Sequence, residues 1–449
     1  MPSSFGQAQQ HRTLENLLNE SPYQGYSYAY PHKSAYRSFD QPMLLRSVWE
    51  TEVKDALFLY VHVPFCEMRC GFCNLFTQAK PKQHLSTQFL RTLEDEARIV
   101  AAALDECSFA RIALGGGTPT FLTINELQRV FHIIESGVGA NVQSLPTSVE
   151  TSPETAEREK LQLLKAKGID RISIGVQSFL ESETSLVARP QKQNVLETAL
   201  QTICELDFPI FNIDLIYGLP RQSIDTWLDS LRKALSYRPQ EIYLYPLYVR
   251  PLTSLGKSSR EWDDERLGLY REGRDCLRSY GYQQVSMRMF RSPDAPTIDG
   301  PVYCCQTDGM VGLGCGARSY TTNIHYSGEY AVGTRGVQEI LSHYLSRDEQ
   351  SFAATDYGIR LSLEEQHRRF VIQSVLQKEG LAFAAYRNRF GTEVFSDIPE
   401  LQELHQLGIA TIDNDRIRLT DFGIERSDTI GPWLYSESVR RLMQEYDLR

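Results

Sequence analysis

Short β-rich runs that alternate with amphipathic stretches limit how this chain can fold more than any other feature. Six such runs lie in the first two thirds of the sequence, at 57–63, 109–116, 147–152, 171–177, 210–218 and 241–249. The stretches between them carry apolar residues three and four positions apart, which is typical of helices with one buried face. Strands that alternate with helices form parallel sheets through right-handed crossovers. The pattern predicts an α/β fold of about six β/α units, a partial (β/α)6-type barrel rather than a closed eight-fold one.

The segments on either side of this region have a different character. Residues 1–55 begin rich in Ser, Gln, Tyr and Pro without periodicity, and we predict an extension that packs on the barrel at 56–300. The glycine-rich segment 301–360 is predicted to connect the barrel to the last domain and to complete the site. Residues 361–449 contain helical patterns followed by IATIDNDRIRLT, two short strands around an Asn-Asp turn. This order predicts a helical, winged-helix-like C-terminal domain.

Composition and charge exclude several classes of function. The net charge of −10 argues against a general binder of nucleic acid or of anionic membranes. No apolar stretch is long enough to cross a bilayer, and the polar first residues show no secretory signal. We therefore predict a cytoplasmic protein with reduced thiols, without a nucleic-acid or membrane partner.

Three cysteines lie within eight residues just after the first predicted strand. Cys66, Cys70 and Cys73 form a C-x3-C-x2-C pattern. Soft thiolates suit zinc or iron–sulfur clusters. Structural zinc requires four ligands, and the sequence has no second CxxC pair to complete such a site. A cubane cluster held by three cysteines leaves one iron for a substrate or cofactor. The spacing favours the cluster, with zinc or three incidental core thiols as the alternatives.

Further polar motifs follow the later strands. GGGTPT (115–120) comes after a strand and before a helix, so its backbone N–H groups can approach a ligand without obstruction by a Cβ atom. A charged residue in a buried strand is costly unless it is paired, which favours a binding site at such positions. A turn-forming or structural role remains the alternative for each residue taken singly. The polar side chains at or near these strand ends are Glu150, Gln177, Arg189 and Asp214.

The stretch YVHVPFCEMRCGFC, with these motifs in this order, resembles the radical S-adenosylmethionine (SAM) enzymes. Within them it is most similar to the oxygen-independent coproporphyrinogen III oxidases and their heme-chaperone relatives, over roughly residues 57–430. The resemblance implies that the three cysteines hold a [4Fe-4S] cluster whose open iron binds SAM. It also implies that an electron from the cluster cleaves SAM to a 5′-deoxyadenosyl radical, which abstracts hydrogen from an organic substrate. The chemistry then belongs to the cofactors, and the protein positions them.

The resemblance also assigns cofactor contacts and partners. It implies that Tyr60 and Phe72 flank the cluster, and that Gly116 and Glu150 contact the SAM bound to it. Because two SAM molecules also feature in related methyltransferases, methyl transfer is an alternative to oxidative decarboxylation. The implied partners are a small-molecule or tetrapyrrole-like substrate and a reduced flavodoxin or ferredoxin-type electron donor. The positions that would hold a second SAM are Gly117, Thr118, Gln177, Arg189 and Asp214.

Two departures from the family pattern leave the reaction open. The oxidases carry a fourth cysteine two residues after the third, where this chain has Leu75. The heme chaperones carry a histidine ahead of a glycine-rich stretch, and residues 299–319 keep the glycines without it. Coproporphyrinogen oxidation and heme binding without turnover are both weakened. An auxiliary cluster on Cys304, Cys305 and Cys315 is a further alternative to packing or reactive thiols.

Basic residues outside these motifs are candidate substrate contacts. His32 and Lys33 lie in the tyrosine-rich stretch SYAYPHKSAYR, and as part of a lid they would meet an anionic substrate. Arg250, Arg288 and Arg291 lie near other predicted strand ends, and arginine binds carboxylate or phosphate groups through two parallel hydrogen bonds. The alternatives are an aromatic strap that packs the N-terminal extension, and surface ion pairs.

Overall fold

The computed structural model describes residues 13–27, 29–249, 252–256, 265–296 and 308–448. These residues form two compact units. The barrel unit consists of His32–Gln284, Arg288–Ser362 and the residues from Arg440 onward. The C-terminal unit combines the described residues up to Pro31 with Val285–Met287 and Leu363–Val439. The predicted extension over 1–55 therefore divides between the two units at Pro31, and the other predicted domain limits stay predictions.

The strands begin and end close to the limits that the sequence predicts for the six runs. In chain order they are β1 (Arg37–Leu44), β2 (Leu57–Val63), β3 (Phe65–Cys66), β4 (Gln78–Ala79), β5 (Phe109–Gly116), β6 (Thr147–Thr151), β7 (Arg171–Gln177), β8 (Ile210–Tyr217), β9 (Glu241–Pro246), β10 (Gln283–Gln284), β11 (Met289–Arg291), β12 (Met310–Leu313), β13 (Arg318–Tyr320), β14 (Ile324–Ser327), β15 (Ala354–Arg360), β16 (Leu381–Ala382), β17 (Ala410–Ile412) and β18 (Arg416–Leu419).

The helices fill the intervals between the strands and make up most of the C-terminal unit. In chain order they are α1 (Leu14–Leu18), α2 (Leu45–Trp49), α3 (Gln83–Leu104), α4 (Ile124–His132), α5 (Arg158–Ala166), α6 (Glu181–Leu186), α7 (Gln193–Leu206), α8 (Ile224–Ser236), α9 (Arg266–Ser279), α10 (Thr334–Leu345), α11 (Glu349–Phe352), α12 (Leu363–Val375), α13 (Phe383–Phe390), α14 (Val394–Asp397), α15 (Leu401–Gln406), α16 (Asp421–Ile424), α17 (Ser427–Trp433) and α18 (Glu437–Gln444). Among the described residues, no helix combines the length and apolar character needed to cross a membrane.

The barrel unit is built on one sheet of thirteen strands. Its order is β1-β15-β14-β13-β12-β2-β5-β6-β7-β8-β9-β11-β10. The six predicted strands β2, β5, β6, β7, β8 and β9 pair in parallel in that order, which confirms the predicted α/β architecture. β12, from the segment predicted to connect the domains, adds a parallel neighbour on the other side of β2. This linear order leaves the sheet open, as expected for a partial barrel.

Parallel strands bring their carboxyl ends to one edge of a sheet, and polar side chains line that edge here. β2, β7 and β8 are almost continuously buried, as strands covered on both faces require. Local signals start two of the crossover helices, because Thr123 with Glu126 and Ser223 with Thr226 form capping boxes at α4 and α8. The crossovers therefore return the chain so that successive strands end at the same edge.

The C-terminal unit contains the predicted helices and hairpin. β16, β18 and β17 form a small antiparallel sheet, with β17 and β18 on either side of the predicted Asn-Asp turn. Residues from the start of the chain pack into this unit through a buried tyrosine. The Tyr30 hydroxyl donates to Glu365 and accepts a hydrogen bond from the backbone N–H of Ser436 at 3.1 Å. These hydrogen bonds of the buried Tyr30 hydroxyl help to hold the described residues up to Pro31 within the C-terminal unit.

Candidate active site

The three cysteines lie on one loop, residues 66–73, which we call the cysteine loop. It follows the carboxyl end of β2. Cys66 ends the short strand β3, and Cys70 and Cys73 follow in a turn closed by a 3.1 Å backbone hydrogen bond between them. The N–H of Gly71 donates to the carbonyl of Val187 at 2.7 Å, which ties the loop to the segment after β7. All three cysteines are free thiols and partly exposed. The loop therefore holds three available sulfurs at the edge where the parallel strands end.

Two side chains from outside the cysteine loop, one after β5 and one after α6, contact two of these sulfurs. The Thr118 hydroxyl lies 3.3 Å from the Cys66 sulfur, and the Arg189 guanidinium donates to the Cys70 sulfur at 3.1 Å. Burial raises the pKa of Cys66, and burial together with Cys70 raises the pKa of Cys73 to about 12. Thiols placed together in this way resist deprotonation unless a cation offsets the charge. The site therefore favours thiolates only when a cationic centre is bound.

The donor set fits an iron–sulfur cluster. Three soft thiolates on one loop are the ligands that such clusters take from proteins. Each cysteine of a cubane binds a different iron, so its sulfurs stand further apart than the ligands of one ion. In the described ranges, no three His, Cys, Asp or Glu side chains converge as ligands of a single metal ion would. Cys66, Cys70 and Cys73 would hold the cluster, with Thr118 and Arg189 beside their sulfurs.

The segment GGGTPT, residues 115–120, is called the glycine loop here. It packs directly against the cysteine loop. The N–H of Gly117 donates to the carbonyl of Val63 at 2.8 Å, and that of Thr118 donates to the carbonyl of Phe65 at 2.7 Å. A Cβ atom on Gly117 would lie 2.4 Å from the carbonyl oxygen of Phe65. At Gly116 the backbone adopts a φ of +108°, and a Cβ atom would lie 2.5 Å from the His62 ring. The two loops can meet only because these positions lack side chains.

Alanine at Gly116 should therefore destabilise the barrel unit. Gly116→Ala combines a positive φ with a clash against His62, whereas Gly139→Ala provides the matched control, with a φ of +79° and open space around its Cβ. Strain of the backbone alone costs about 1–3 kcal/mol. We expect Gly116→Ala to lower the free energy of unfolding clearly more than Gly139→Ala, measured by urea denaturation. Equal losses would show that the contact with His62 is not restrictive.

Glu150 lies at the end of β6 and faces the glycine loop. Its carboxylate accepts a hydrogen bond from the N–H of Gly116 at 3.2 Å. Glu150 is the one exposed residue of this strand. The surrounding protein, and secondarily the nearby Asp214, raise the pKa of Glu150 to about 7. Burial also raises the pKa of Asp214, although hydrogen bonds from Asn212 and Ser173 oppose the shift. Two carboxylates thus face one another inside the barrel.

A buried polar network lies beneath these carboxylates, and the sequence reasoning missed it. Arg171 at the start of β7 donates to Glu241 on β9 at 2.8 Å and to Ser148 on β6 at 3.1 Å. Asn212 on β8 donates to Ser173 at 2.7 Å and to Asp214 at 2.8 Å. The sequence did contain a signal for this network, namely charged residues in buried strands. Arg171 and Glu241 each begin such a strand, and Asp214 lies within one.

Gln177 and Arg189 lie together around Gly175. Gln177 ends β7 at a bulge with a φ of +69°, and its side-chain nitrogen lies 2.7 Å from where a Cβ atom on Gly175 would be. Arg189 donates to the carbonyl of Gly175 at 2.6 Å. Asp214 is the partner of Gly175 in the register of β7 and β8. The structure thus brings Gln177, Arg189 and Asp214 to one side of the site, with Thr118 at the cysteine loop.

The predicted aromatic neighbours of the cluster, Tyr60 and Phe72, contact different residues. The Tyr60 hydroxyl lies 3.3 Å from Nδ1 of His62, whose Nε2 lies 2.9 Å from the carbonyl oxygen of Phe76. Burial lowers the pKa of His62 to about 4, so this imidazole is neutral. Phe72 packs against an apolar group formed by Val187, Ile216, Leu219 and Leu247. His62 was not predicted, although it shares a strand face with Tyr60 two residues earlier.

The candidate substrate residues that the structure describes differ in their hydrogen bonds and in their position along the strands. His32 accepts a hydrogen bond from the N–H of Ser34 and so caps a short 3-10 turn at Lys33–Ala35. Arg288 is buried and donates to the Tyr248 hydroxyl at 2.9 Å. Arg291 pairs in register with Glu241, at the amino end of β9, and so lies away from the cysteine loop. Arg250 lies outside the described residues.

Leu75 and Cys315, a cysteine of the alternative auxiliary cluster, differ in their exposure. The Leu75 side chain is 49% exposed, so the residue that stands in place of a fourth cysteine faces solvent. Cys315 is buried near Glu96, and burial raises the pKa of its thiol well above the usual value. Cys304 and Cys305 lie outside the described residues. An auxiliary cluster on these cysteines therefore stays an alternative from the sequence alone.

Fold and site together define an α/β protein with three thiols and a glycine loop at the carboxyl ends of parallel strands. Residues 60–234 match the family model described as the Radical SAM superfamily, and residues 361–425 match the HemN C-terminal domain. The chain therefore contains a radical SAM domain followed by a HemN C-terminal domain. It is an enzyme of the radical SAM type, and the cofactors of that family are a [4Fe-4S] cluster and SAM.

Curated relatives that match over most of the chain are consistent with this assignment. The chain is 27% identical over 425 residues to the oxygen-independent coproporphyrinogen III oxidase of Salmonella typhimurium, covering 89% of this chain and 91% of the relative. It is 25% identical over 338 residues to the heme chaperone HemW of Bacillus subtilis, covering 72% and 88%. The solved structure of the Escherichia coli coproporphyrinogen III oxidase HemN superposes with a TM-score of 0.78 at 24% identity, covering 91% of this chain and 96% of that one. The last comparison confirms the predicted fold.

Proposed function

We propose that this chain binds a [4Fe-4S] cluster through Cys66, Cys70 and Cys73 and abstracts hydrogen from an organic substrate. When bound, the cluster and SAM would supply the chemistry, which is one-electron cleavage of SAM to methionine and the 5′-deoxyadenosyl radical that removes the hydrogen atom. The observation that carries the proposal is the convergence on the cysteine loop: Thr118 lies beside the Cys66 sulfur and Arg189 beside that of Cys70. These contacts come from two distant segments of the chain, Thr118 just after β5 and Arg189 just after α6.

The residues around the loop suit the binding of SAM. Gly116 and Gly117 present a surface without side chains, and the Glu150 carboxylate is the group that would pair with the ammonium of SAM. Tyr60 on β2 and Phe72 within the cysteine loop would flank the cluster. Burial raises the pKa of Glu150 and of Asp214, and Arg171 opposes that rise, which helps to keep the carboxylates ionised for this pairing.

A two-SAM methyltransferase is the second candidate, and one observation favours it. Gln177, Arg189 and Asp214 gather around Gly175, beside rather than beneath the glycine loop. Together with Gly117 and Thr118 they would contact a second SAM molecule. Methyl transfer would then yield S-adenosylhomocysteine, whereas hydrogen abstraction alone would not.

The partners belong to the proposal as well. The relatives named coproporphyrinogen III oxidase support a tetrapyrrole-like or other small-molecule substrate. A reduced flavodoxin or ferredoxin-type protein in the cytoplasm would supply the electron, and a nucleic-acid partner is not part of the proposal. Heme binding without turnover, suggested by the relatives named heme chaperone, is the remaining alternative.

Anaerobic turnover, run with and without a tetrapyrrole as the candidate substrate and methyl acceptor, tests these alternatives. The full chain is reconstituted with iron and sulfide, reduced with dithionite and incubated with SAM, and products are quantified by mass spectrometry. Release of 5′-deoxyadenosine is the expected result, and S-adenosylhomocysteine alongside it would favour methyl transfer. An intact cluster that yields neither product, with stoichiometric heme uptake, would contradict the enzyme and favour the chaperone.

The affinity for SAM should fall in mild acid. The pKa of Glu150 is about 7, so lowering the pH from about 7.5 to about 6 protonates most of this carboxylate and removes its charge. We expect SAM to bind up to about tenfold more weakly at the lower pH, measured by equilibrium dialysis. In Glu150→Gln, which stays neutral throughout, this dependence should disappear. The same dependence in the variant would exclude Glu150 as its source.

A further inference from the structure

Lys33 lies in a segment that is fixed on several sides. Nδ1 of His32 accepts a hydrogen bond from the N–H of Ser34 at 3.3 Å, and Arg37 donates to the carbonyl of Ser34 at 3.0 Å. β1 begins at Arg37 and pairs at once with β15 of the main sheet. The turn around Lys33 is therefore part of the barrel unit, and it presents the lysine in a defined direction.

The Lys33 ammonium rests on the ring of Tyr330, which reaches the cysteine loop. The Lys33 nitrogen lies 3.5 Å from the centroid of that ring, a close cation–π contact. The Tyr330 hydroxyl donates to the carbonyl of Asn74, the residue after Cys73, at 3.2 Å. The ring of Tyr446 also stacks on Tyr330, with 6.3 Å between the two ring centroids. Tyr330 therefore holds the ammonium against the loop that carries Cys73.

The Lys33 ammonium is buried. Burial, and secondarily Arg318, hold the pKa of Lys33 well below its usual range. The Lys33 charge is in turn one of the influences that lower the pKa of His62. A buried ammonium requires negative charge nearby, and a cluster held by three thiolates supplies it. With the cluster bound, its net negative charge would offset the burial of Lys33 and hold the amine protonated.

We propose that Lys33 sets the reduction potential of the cluster without ligating it. The reduced cluster carries one more negative charge than the oxidised cluster, so a fixed ammonium nearby stabilises the reduced form more. The cluster accepts one electron from a reductant such as dithionite, and Lys33 stays protonated while no bond forms or breaks there. The inference rests on the cluster assigned under the proposed function. Nothing in the local sequence predicts it, because Tyr330 is distant in the chain.

Potentiometric titration of the reconstituted full chain, monitored by electron paramagnetic resonance, tests the inference without any substrate. We expect Lys33→Met to lower the equilibrium constant for reduction at least tenfold, a shift of about 59 mV to more negative potential for one electron. Lys33→Arg keeps the charge and should leave the potential unchanged. Lys54→Met is the matched control, because Lys54 donates to the carbonyl of Leu104 just before the amino end of β2, opposite the cysteine loop.

The outcomes separate this inference from the proposed function. An unchanged potential in Lys33→Met with full iron content would overturn the inference, and so would equal shifts in Lys33→Met and Lys33→Arg. If Lys33→Met fails to hold iron, Tyr330→Leu takes its place: it keeps the ammonium, removes the ring and should also shift the potential negatively. An unchanged potential there would likewise overturn the inference. If the wild type assembles no cluster, the proposed function fails, and this inference with it.

Discussion

Replacing Cys70 with alanine should abolish both iron binding and SAM cleavage while leaving the fold intact. Each of three thiolates binds a different iron in a cubane, so two remaining cysteines cannot hold it. Cys70 is also the sulfur that accepts a hydrogen bond from Arg189, and in the variant this cation keeps its hydrogen bond to the carbonyl of Gly175. We expect iron and sulfide content, and 5′-deoxyadenosine formation, to fall to background in anaerobically reconstituted Cys70→Ala.

Two comparisons make the loss specific. Cys276→Ala removes a partly buried thiol on α9, away from the cysteine loop, and should keep full iron content and SAM cleavage. Cys70 is only partly buried, so apo Cys70→Ala and the apo wild type should unfold at the same temperature. Full iron content with 5′-deoxyadenosine release in Cys70→Ala would contradict the assignment of the cluster to this loop.

Replacing Arg171 with methionine should cause the largest loss of stability among the single substitutions considered. Arg171 and Glu241 form a buried ion pair at 2.8 Å, with side-chain exposures of 8% and 2%. Removing one partner of such a pair leaves the other charge buried without compensation, at a cost of about 3–5 kcal/mol. The apparent free energy of unfolding of the barrel unit, from urea denaturation near neutral pH, should fall by that amount.

An exposed arginine–glutamate pair provides the matched control. Arg158 and Glu205 lie 2.5 Å apart but are 51% and 58% exposed, so Arg158→Met should cost less than about 1 kcal/mol. The double variant Arg171→Met with Glu241→Met should recover most of the stability, because it removes both buried charges. Equal losses at Arg171 and Arg158 would show that the buried network does not support the barrel.

The amino-acid sequence by itself determined the local parts of the site. Cys66, Cys70 and Cys73 share one loop because they are close in sequence, and the glycine loop follows a strand for the same reason. Glu150 and Asp214 could be placed near the same edge, because the carboxyl ends of parallel strands coincide and side chains alternate along each strand. Periodicity gave the six parallel strands, whose limits the structure reproduces within a few residues.

Only the tertiary structure decided which distant residues complete the site. The contacts of Lys33 with Tyr330 and of Arg171 with Glu241 join segments far apart in the chain. The parallel pairing of β12 with β2, and the packing of Tyr30 with Glu365, are also non-local. Sequence patterns report on neighbours two to four residues apart, which fix the faces of strands and helices. Which of those faces meet depends on packing and buried charge summed over the whole chain, and no local pattern contains that sum.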